Sequence, residues 1–162
     1  MDKMGLQTSR ISNKVPFVID SEIPIDDVDA YFEPLEECRA LTPLRYQGQL
    51  LYKRKGIRLE ADIEIELERF CYRCAAAGKI PLAFKVELVL IEANNQSSEV
   101  ELALEAKDLD VVVYQDPEID LDRILLESVF MELEGNYICC DECKGLCINC
   151  GQNLNLNPCL CE

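Results

Sequence analysis

Between Ile57 and Glu68 apolar and charged side chains alternate without a break. Ile57, Leu59, Ala61, Ile63, Ile65 and Leu67 fall on one side, and Arg58, Glu60, Asp62, Glu64, Glu66 and Glu68 on the other. A period of two over that length predicts a strand with one buried face and one acidic, solvated face. The alternation resumes at Ile80, Leu82, Phe84, Val86, Leu88 and Leu90. The chain therefore runs out, turns and comes back, which puts the CYRCAAAG segment, Cys71 to Gly78, at the tip of a long hairpin. Upstream, LRYQGQLLYK from Leu44 reads as a further strand, joined to the first by the basic turn Lys53 to Gly56.

Downstream, strands are predicted at Glu99 to Leu104 and Asp110 to Gln115, after a polar loop at Asn94 to Ser98. Asp116 and Pro117 then offer an N-cap and a first-turn proline. Leu121, Ile124, Leu125, Val129 and Leu133 follow at helical spacing until Gly135 and Asn136, which predicts a helix near 117–134. Residues 1–34 are polar and punctuated by Pro16, Pro24 and Pro34, with one short helical turn expected in DDVDAYF. The expected organisation is a partly ordered N-terminal segment (1–34), a β-rich core domain (35–138) and a zinc-binding tail (139–162) packed with the 71–74 knuckle. The expected class is α+β: a mainly antiparallel sheet, one amphipathic helix and a cysteine-rich, zinc-ribbon-like C-terminal tail.

The 162 residues are enough for one ordinary domain with its own core. No basic stretch followed by an apolar run opens the chain, and no segment approaches the roughly 18 apolar residues of a membrane span, so a soluble, cytosolic protein is expected. The formal charge is −15, from 31 acidic and 16 basic residues. Nucleic-acid affinity normally comes from Lys and Arg displacing counterions, so this balance favours a basic protein partner over direct contact with RNA.

A reducing compartment changes what ten cysteines mean, since thiols there serve metal binding or redox chemistry more than structural disulfides. The chain has no histidine, so a metal site must be built from thiolates, which favour zinc or iron–sulfur chemistry. Cys71 and Cys74 form a C-x2-C on a tight turn. The tail YICCDECKGLCINCGQNLNLNPCLCE holds seven more cysteines in 26 residues, and its Cys147-Ile-Asn-Cys150-Gly151 has the form of a zinc knuckle, with a glycine able to take positive φ. The preferred partition is Cys71, Cys74, Cys139 and Cys143 on one zinc ion, and Cys147, Cys150, Cys159 and Cys161 on a second. A competing register uses Cys140 in place of Cys139, because Cys140 and Cys143 repeat the C-x2-C spacing. Cys38 lies far from both clusters and reads as a simple core or surface thiol.

Four protein ligands close the coordination shell, so a structural role is expected. No histidine stands beside a thiolate nucleophile and no phosphate-binding glycine loop appears, so no enzyme is expected. The acidic residues of Glu60 to Glu68 alternate along a strand face and do not wrap a calcium ion as a loop would. Lys53, Arg54, Lys55 and Arg58, with Arg45 nearby, form the one basic cluster, read first as a solubilising turn and second as a small phosphate contact.

A strand ending in Cys71-Tyr-Arg-Cys74, an acidic region followed by a helix, and a tail reading CDECKGLCINCGQNLNLNPCLC together resemble the YceD-like family, the large ribosomal RNA subunit accumulation proteins. The resemblance covers roughly residues 35–162. It implies a non-enzymatic role in accumulation of large-subunit ribosomal RNA in bacteria and plastids, hence in ribosome biogenesis. It also implies a shorter family branch that keeps the first C-x2-C and a partner pair after the helix but lacks the terminal cysteines, in line with a first site of Cys71, Cys74, Cys139 and Cys143. The adjacent pair Cys139 and Cys140 departs from the usual pattern. With no transit peptide ahead of the domain, a bacterial cytoplasmic form is expected.

Two classes of function remain open from sequence. One is a binding module in ribosome assembly, in which zinc pins the hairpin tip to the tail and the acidic faces hold or chaperone a basic ribosomal protein or a pre-ribosomal particle. The other is a thiol redox switch that ejects zinc on oxidation, suggested by the C-x-C at Cys159 and Cys161 beside the C-x2-C at Cys147. For the metal itself, an iron–sulfur cluster is the alternative to zinc.

Overall fold

The alternating segment becomes the central strand of the molecule. In the computed structural model, which describes residues 5–33, 38–53, 56–93, 110–115, 117–133, 135–159 and 161, strand β5 runs Gly56–Phe70 and every apolar member from Ile57 to Leu67 is buried. Each large aliphatic side chain so buried contributes about 2 kcal/mol of transfer free energy, enough to fix which face of the strand turns inward. Strand β6 (Ala77–Glu92) returns antiparallel along one edge, from Phe70 opposite Ala77 to Ile57 opposite Leu90. On the other edge β4 (Leu44–Lys53) pairs from Arg45 opposite Glu64 to Lys53 opposite Gly56, closing where the basic turn was expected. Arg54 and Lys55 of that turn lie outside the described residues. The short β3 (Cys38–Ala40) continues the same edge, with Cys38 opposite Arg69 and Ala40 opposite Leu67. Gly48 faces Ala61 so closely that a Cβ there would run into the Glu60 carbonyl.

The N-terminal segment contributes more than the single helical turn and partial order expected of it. Strand β2 (Phe17–Ile23) pairs with β4 over its full length, and β1 (Gly5–Gln7) forms a separate two-stranded ribbon with β8 (Glu118–Asp120). Helix α1 spans Ile25–Phe32, opens with Asp26 and Asp27 where the helix dipole favours negative charge, and buries Val28 and Phe32. The Asp29 carboxylate accepts the Ala40 amide at 2.7 Å, tying α1 to β3. Burial of Leu6, Ile19, Ile23, Val28 and Phe32 in the common core is what orders this polar stretch.

The C-terminal helix, α2, spans Leu121–Glu132 and starts later than its predicted boundary at 117. Asp120 caps it, its carboxylate accepting the Arg123 amide at 3.1 Å, because residues 118–120 are committed to pairing with β1. The helix also ends before Gly135, with the Leu133 amide returning to the Val129 and Phe130 carbonyls. Strand β7 (Val111–Tyr114) falls inside the predicted Asp110 to Gln115 but pairs in parallel with the end of β6, Val89 opposite Val111. The predicted strand at Glu99 to Leu104 and Asp116 lie outside the described residues.

The class is therefore α+β, and the six-stranded sheet, ordered β2-β4-β5-β6-β7 with β3 beside β5, is mainly antiparallel as expected, β6–β7 being its parallel pair; the one correction is that the described residues hold two α-helices. Leu121, Ile124, Leu125, Leu126 and Val129 of α2 share one apolar cluster with α1 and the inner sheet face. None of the described helices is long and apolar enough to cross a membrane. The hairpin of β5 and β6 extends beyond β4, so its tip, residues 71–76, is free to meet the tail.

Candidate metal centre

Both C-x2-C turns fold alike. At the hairpin tip the Cys71 amide donates to the Ala76 carbonyl and the Ala75 amide to the Cys71 carbonyl, both at 2.8 Å. In the tail the Cys147 amide donates to the Gln152 carbonyl and the Gly151 amide to the Cys147 carbonyl, again at 2.8 Å. The residue after the second cysteine has positive φ in each, +54° at Ala75 and +74° at Gly151. Such a turn leaves both sulfurs on one side with backbone amides directed at them.

The tail comes up against the hairpin tip through backbone and packing contacts. The Tyr72 amide donates to the Tyr137 carbonyl at 2.9 Å, and the Tyr137 ring fills the space where a Cβ of residue 78 would be, so Gly78 is needed for the approach. The Leu146 amide donates to the Arg73 carbonyl at 3.0 Å, and the Arg73 guanidinium reaches the Cys143 carbonyl at 3.4 Å. These contacts bring the sulfurs of Cys71, Cys74, Cys139 and Cys143 within 4.8 Å of one another, with Cys71 to Cys143 at 3.8 Å and Cys74 to Cys139 at 3.6 Å. A tetrahedral ion with metal–sulfur bonds of about 2.3 Å requires sulfurs about 3.8 Å apart, so the donor set fits. Cys71, Cys74 and Cys143 are buried and Cys139 is exposed.

The second quartet, Cys147, Cys150, Cys159 and Cys161, also lies within 4.8 Å, with Cys147 to Cys159 at 3.2 Å and Cys150 to Cys159 at 3.7 Å. It is the more open of the two, Cys150 and Cys161 being exposed. Both quartets can hold a metal ion. Cys140 stands outside them, exposed, with its sulfur 3.9 Å from that of Cys139; Cys38 is buried in the main core, where desolvation pushes its thiol up. Two asparagines of the tail motif were given no role by sequence reasoning. Asn155 donates its side-chain amide to the Cys143 sulfur at 3.3 Å and accepts the Lys144 amide at 2.8 Å, while Asn153 donates to the Cys74 carbonyl at 3.3 Å. The signal was present in the NLN between Cys150 and Cys159.

The family described as Large ribosomal RNA subunit accumulation protein YceD matches residues 59–162, from within β5 through both quartets. The chain belongs to the YceD family. Among curated relatives, Large ribosomal RNA subunit accumulation protein YCED homolog 1, chloroplastic, of Arabidopsis thaliana is 26% identical over 141 residues, covering 74% of this chain and 44% of that protein. The protein of the same name from Zea mays is 24% identical over 145 residues, covering 75% and 49%. The chain thus spans just under half the length of these YceD relatives. No solved structure matches it.

Within this YceD-family chain the thiols of each quartet are pushed apart electrostatically. Burial raises the Cys71 thiol, but amides including that of Cys139, 3.4 Å from its sulfur, outweigh it and bring it down to about 6. The Cys150 amide and the Cys159 thiol likewise lower Cys147 to about 6. Cys139 is pushed far up, chiefly by Cys143 and by burial. The Cys161 amide lowers Cys159, but the thiols of Cys147 and Cys161 together with burial outweigh it and raise Cys159 to about 12. In each quartet one thiol ionises readily and another resists adding negative charge beside it, which is the condition a divalent cation relieves.

The outer face of the YceD sheet is acidic where predicted, and a shallow concavity on it is lined by Asp20, Glu22, Arg45, Gln47, Asp62 and Glu64. Arg58 of the basic cluster is paired with Glu60 at 2.8 Å and Glu87 at 3.1 Å, and Arg45 with Glu22 at 3.6 Å.

Proposed function

We propose that this chain is a non-enzymatic factor of ribosome biogenesis that supports accumulation of large-subunit ribosomal RNA, and that two zinc ions held by its cysteine quartets maintain its working form. The observation that carries this is the family match over residues 59–162, which takes in the hairpin tip and every cysteine of both quartets; the relatives from two plants bear the same functional name. Four thiolates at tetrahedral spacing in a chain without histidine suit Zn²⁺, and a shell closed by four protein ligands leaves no open position for catalysis. Zinc here supplies cross-linking of distant segments and no reaction step. The burial of Cys71, Cys74 and Cys143 favours this stabilising role over a thiol switch.

The partner is a basic ribosomal protein or a pre-ribosomal particle, met in the bacterial cytoplasm. The formal charge of −15 grows by about −2 for each occupied quartet, and the cations Arg45 and Arg58 are already engaged by carboxylates. Deletion of the chain from its cells should lower large-subunit relative to small-subunit ribosomal RNA, measured by quantitative RNA hybridisation. The intact chain should restore it and a Cys71→Ser, Cys147→Ser double variant should not. An unchanged ratio in the deletion would overturn the proposal.

A further inference from the structure

We propose that Asn153 and Asn155 are positioning residues that couple the two metal sites, so that filling the tail quartet tightens the hold of the hairpin-tip quartet on its ion. The inference rests on the two-ion reading above and deepens it.

Both asparagines belong by sequence to the tail site, since they lie between Cys150 and Cys159, two of its ligands. Their side chains act at the other site. Asn155 brackets Cys143, donating to its sulfur at 3.3 Å and accepting the amide of the next residue, Lys144, at 2.8 Å. Asn153 holds Asn155 in that pose, its side-chain oxygen accepting the Asn155 backbone amide at 2.9 Å and side-chain amide at 3.0 Å. The Asn153 side-chain amide meanwhile donates to the carbonyl of Cys74, a second hairpin-tip ligand. Backbone pairing completes the link, with Leu146 bridging to Asn153 and the Leu154 amide donating to the Gly145 carbonyl at 3.0 Å.

Two consequences follow. Four thiolates on one divalent ion leave a net charge of about −2 in a buried site, and an amide donor to a ligand sulfur disperses part of it. That donor is presented by a loop whose two ends carry the tail-quartet cysteines Cys150 and Cys159, so closing the quartet draws those ends together. An ion in the tail site therefore covers the ordering entropy of the loop and improves the outer shell of the hairpin-tip site. Linkage makes the effect reciprocal: an ion at the tip favours closure of the tail.

The test uses the full chain loaded with zinc, with the ions withdrawn by a chromogenic chelator, and in parallel the cobalt-substituted chain. Cys161→Ser opens the tail quartet and touches no hairpin-tip ligand. Asn155→Asp keeps an oxygen for the Lys144 amide but replaces the donor by a carboxylate oxygen facing the thiolates, so a residue needed only to shape the loop would tolerate it. Both substitutions should speed release of the hairpin-tip ion about 10- to 100-fold, and Asn155→Asp should shift the thiolate-to-cobalt charge-transfer band of that site. A chain that binds two ions but releases the hairpin-tip ion at an unchanged rate in both variants overturns the coupling alone. A chain that binds no metal overturns the coupling and the two-ion reading together.

Discussion

Ala75 and Gly151 hold the same place in two matching turns: each follows the second cysteine of a C-x2-C and donates its amide to the first cysteine's carbonyl at 2.8 Å. Each has positive φ. Glycine adopts this backbone freely, whereas a side chain on it costs roughly 1–2 kcal/mol. Ala75→Gly should therefore stabilise the hairpin tip and raise the melting temperature of the zinc-loaded chain by about 2–4 °C, after allowing for the extra freedom glycine gives the unfolded chain. A lower melting temperature would show that the Ala75 methyl contributes packing that outweighs its strain.

The two quartets should differ in what their loss does. Cys71 joins β5 to the segment beyond α2, so Cys71→Ser should lower the melting temperature by about 10 °C or more, the effect of losing several kcal/mol of metal-linked folding free energy. Cys161→Ser should leave the far-ultraviolet circular dichroism of the sheet intact and cost less. Its effect should still exceed loosening of the chain end alone, because Asn153 and Asn155 reach the hairpin-tip site from inside the tail loop. Thermal melts with and without chelator compare the two directly.

Acid should strip the metal. In the folded chain Cys71 and Cys147 are lowered from 9.0 to about 6, so the stability these thiolates provide is present above pH 9 and is lost as the pH falls through about 6. At neutral pH those two are already ionised. The raised thiols of Cys139 and Cys159 still carry protons that zinc must displace. Calorimetric titration in buffers of different ionisation enthalpy should show protons released on zinc uptake, and zinc retention should fall steeply below about pH 6. Full retention at about pH 4 would contradict this ordering of the thiols.

Gly48→Ala should destabilise the sheet by about 1–3 kcal/mol, since the added methyl meets the Glu60 carbonyl and the Ala61 backbone and cannot be relieved by a side-chain rotation. Denaturant unfolding measures it, and a neutral result would mean that β4 and β5 lie further apart at this pair.

Much of this was legible locally. The alternation from Ile57 to Leu67 maps one to one onto buried positions because a one-residue slip would expose the whole set. The hairpin and its cysteine tip follow from that strand and its return. What sequence did not disclose depends on partners distant in the chain. Glu118 to Asp120 read as the first turn of a helix until β1 claims them, and β2 orders only against β4, with its alternation broken at the exposed Ser21. The parallel pairing of β7 is equally non-local. Among the cysteines, spacing favoured Cys140 as partner to Cys143, yet Cys139 is the residue drawn into the quartet, where its amide also reaches the Cys71 sulfur. The asparagines stood in the tail motif without a role because their sequence neighbours belong to the other quartet.

A charge-driven partner leaves a salt signature. The purified chain should capture a basic ribosomal protein in a manner that weakens as salt screens the acidic face, and should bind protein-free ribosomal RNA weakly. Tight binding to naked ribosomal RNA at physiological salt would contradict the choice of partner.

If two ions organise this chain, native mass spectrometry of the full chain purified without added metal should show a mass excess of two zinc ions, retained in Cys140→Ser and reduced in Cys139→Ser and Cys161→Ser. A chain that carries no metal, or that shows the visible absorbance of an iron–sulfur cluster, would contradict it.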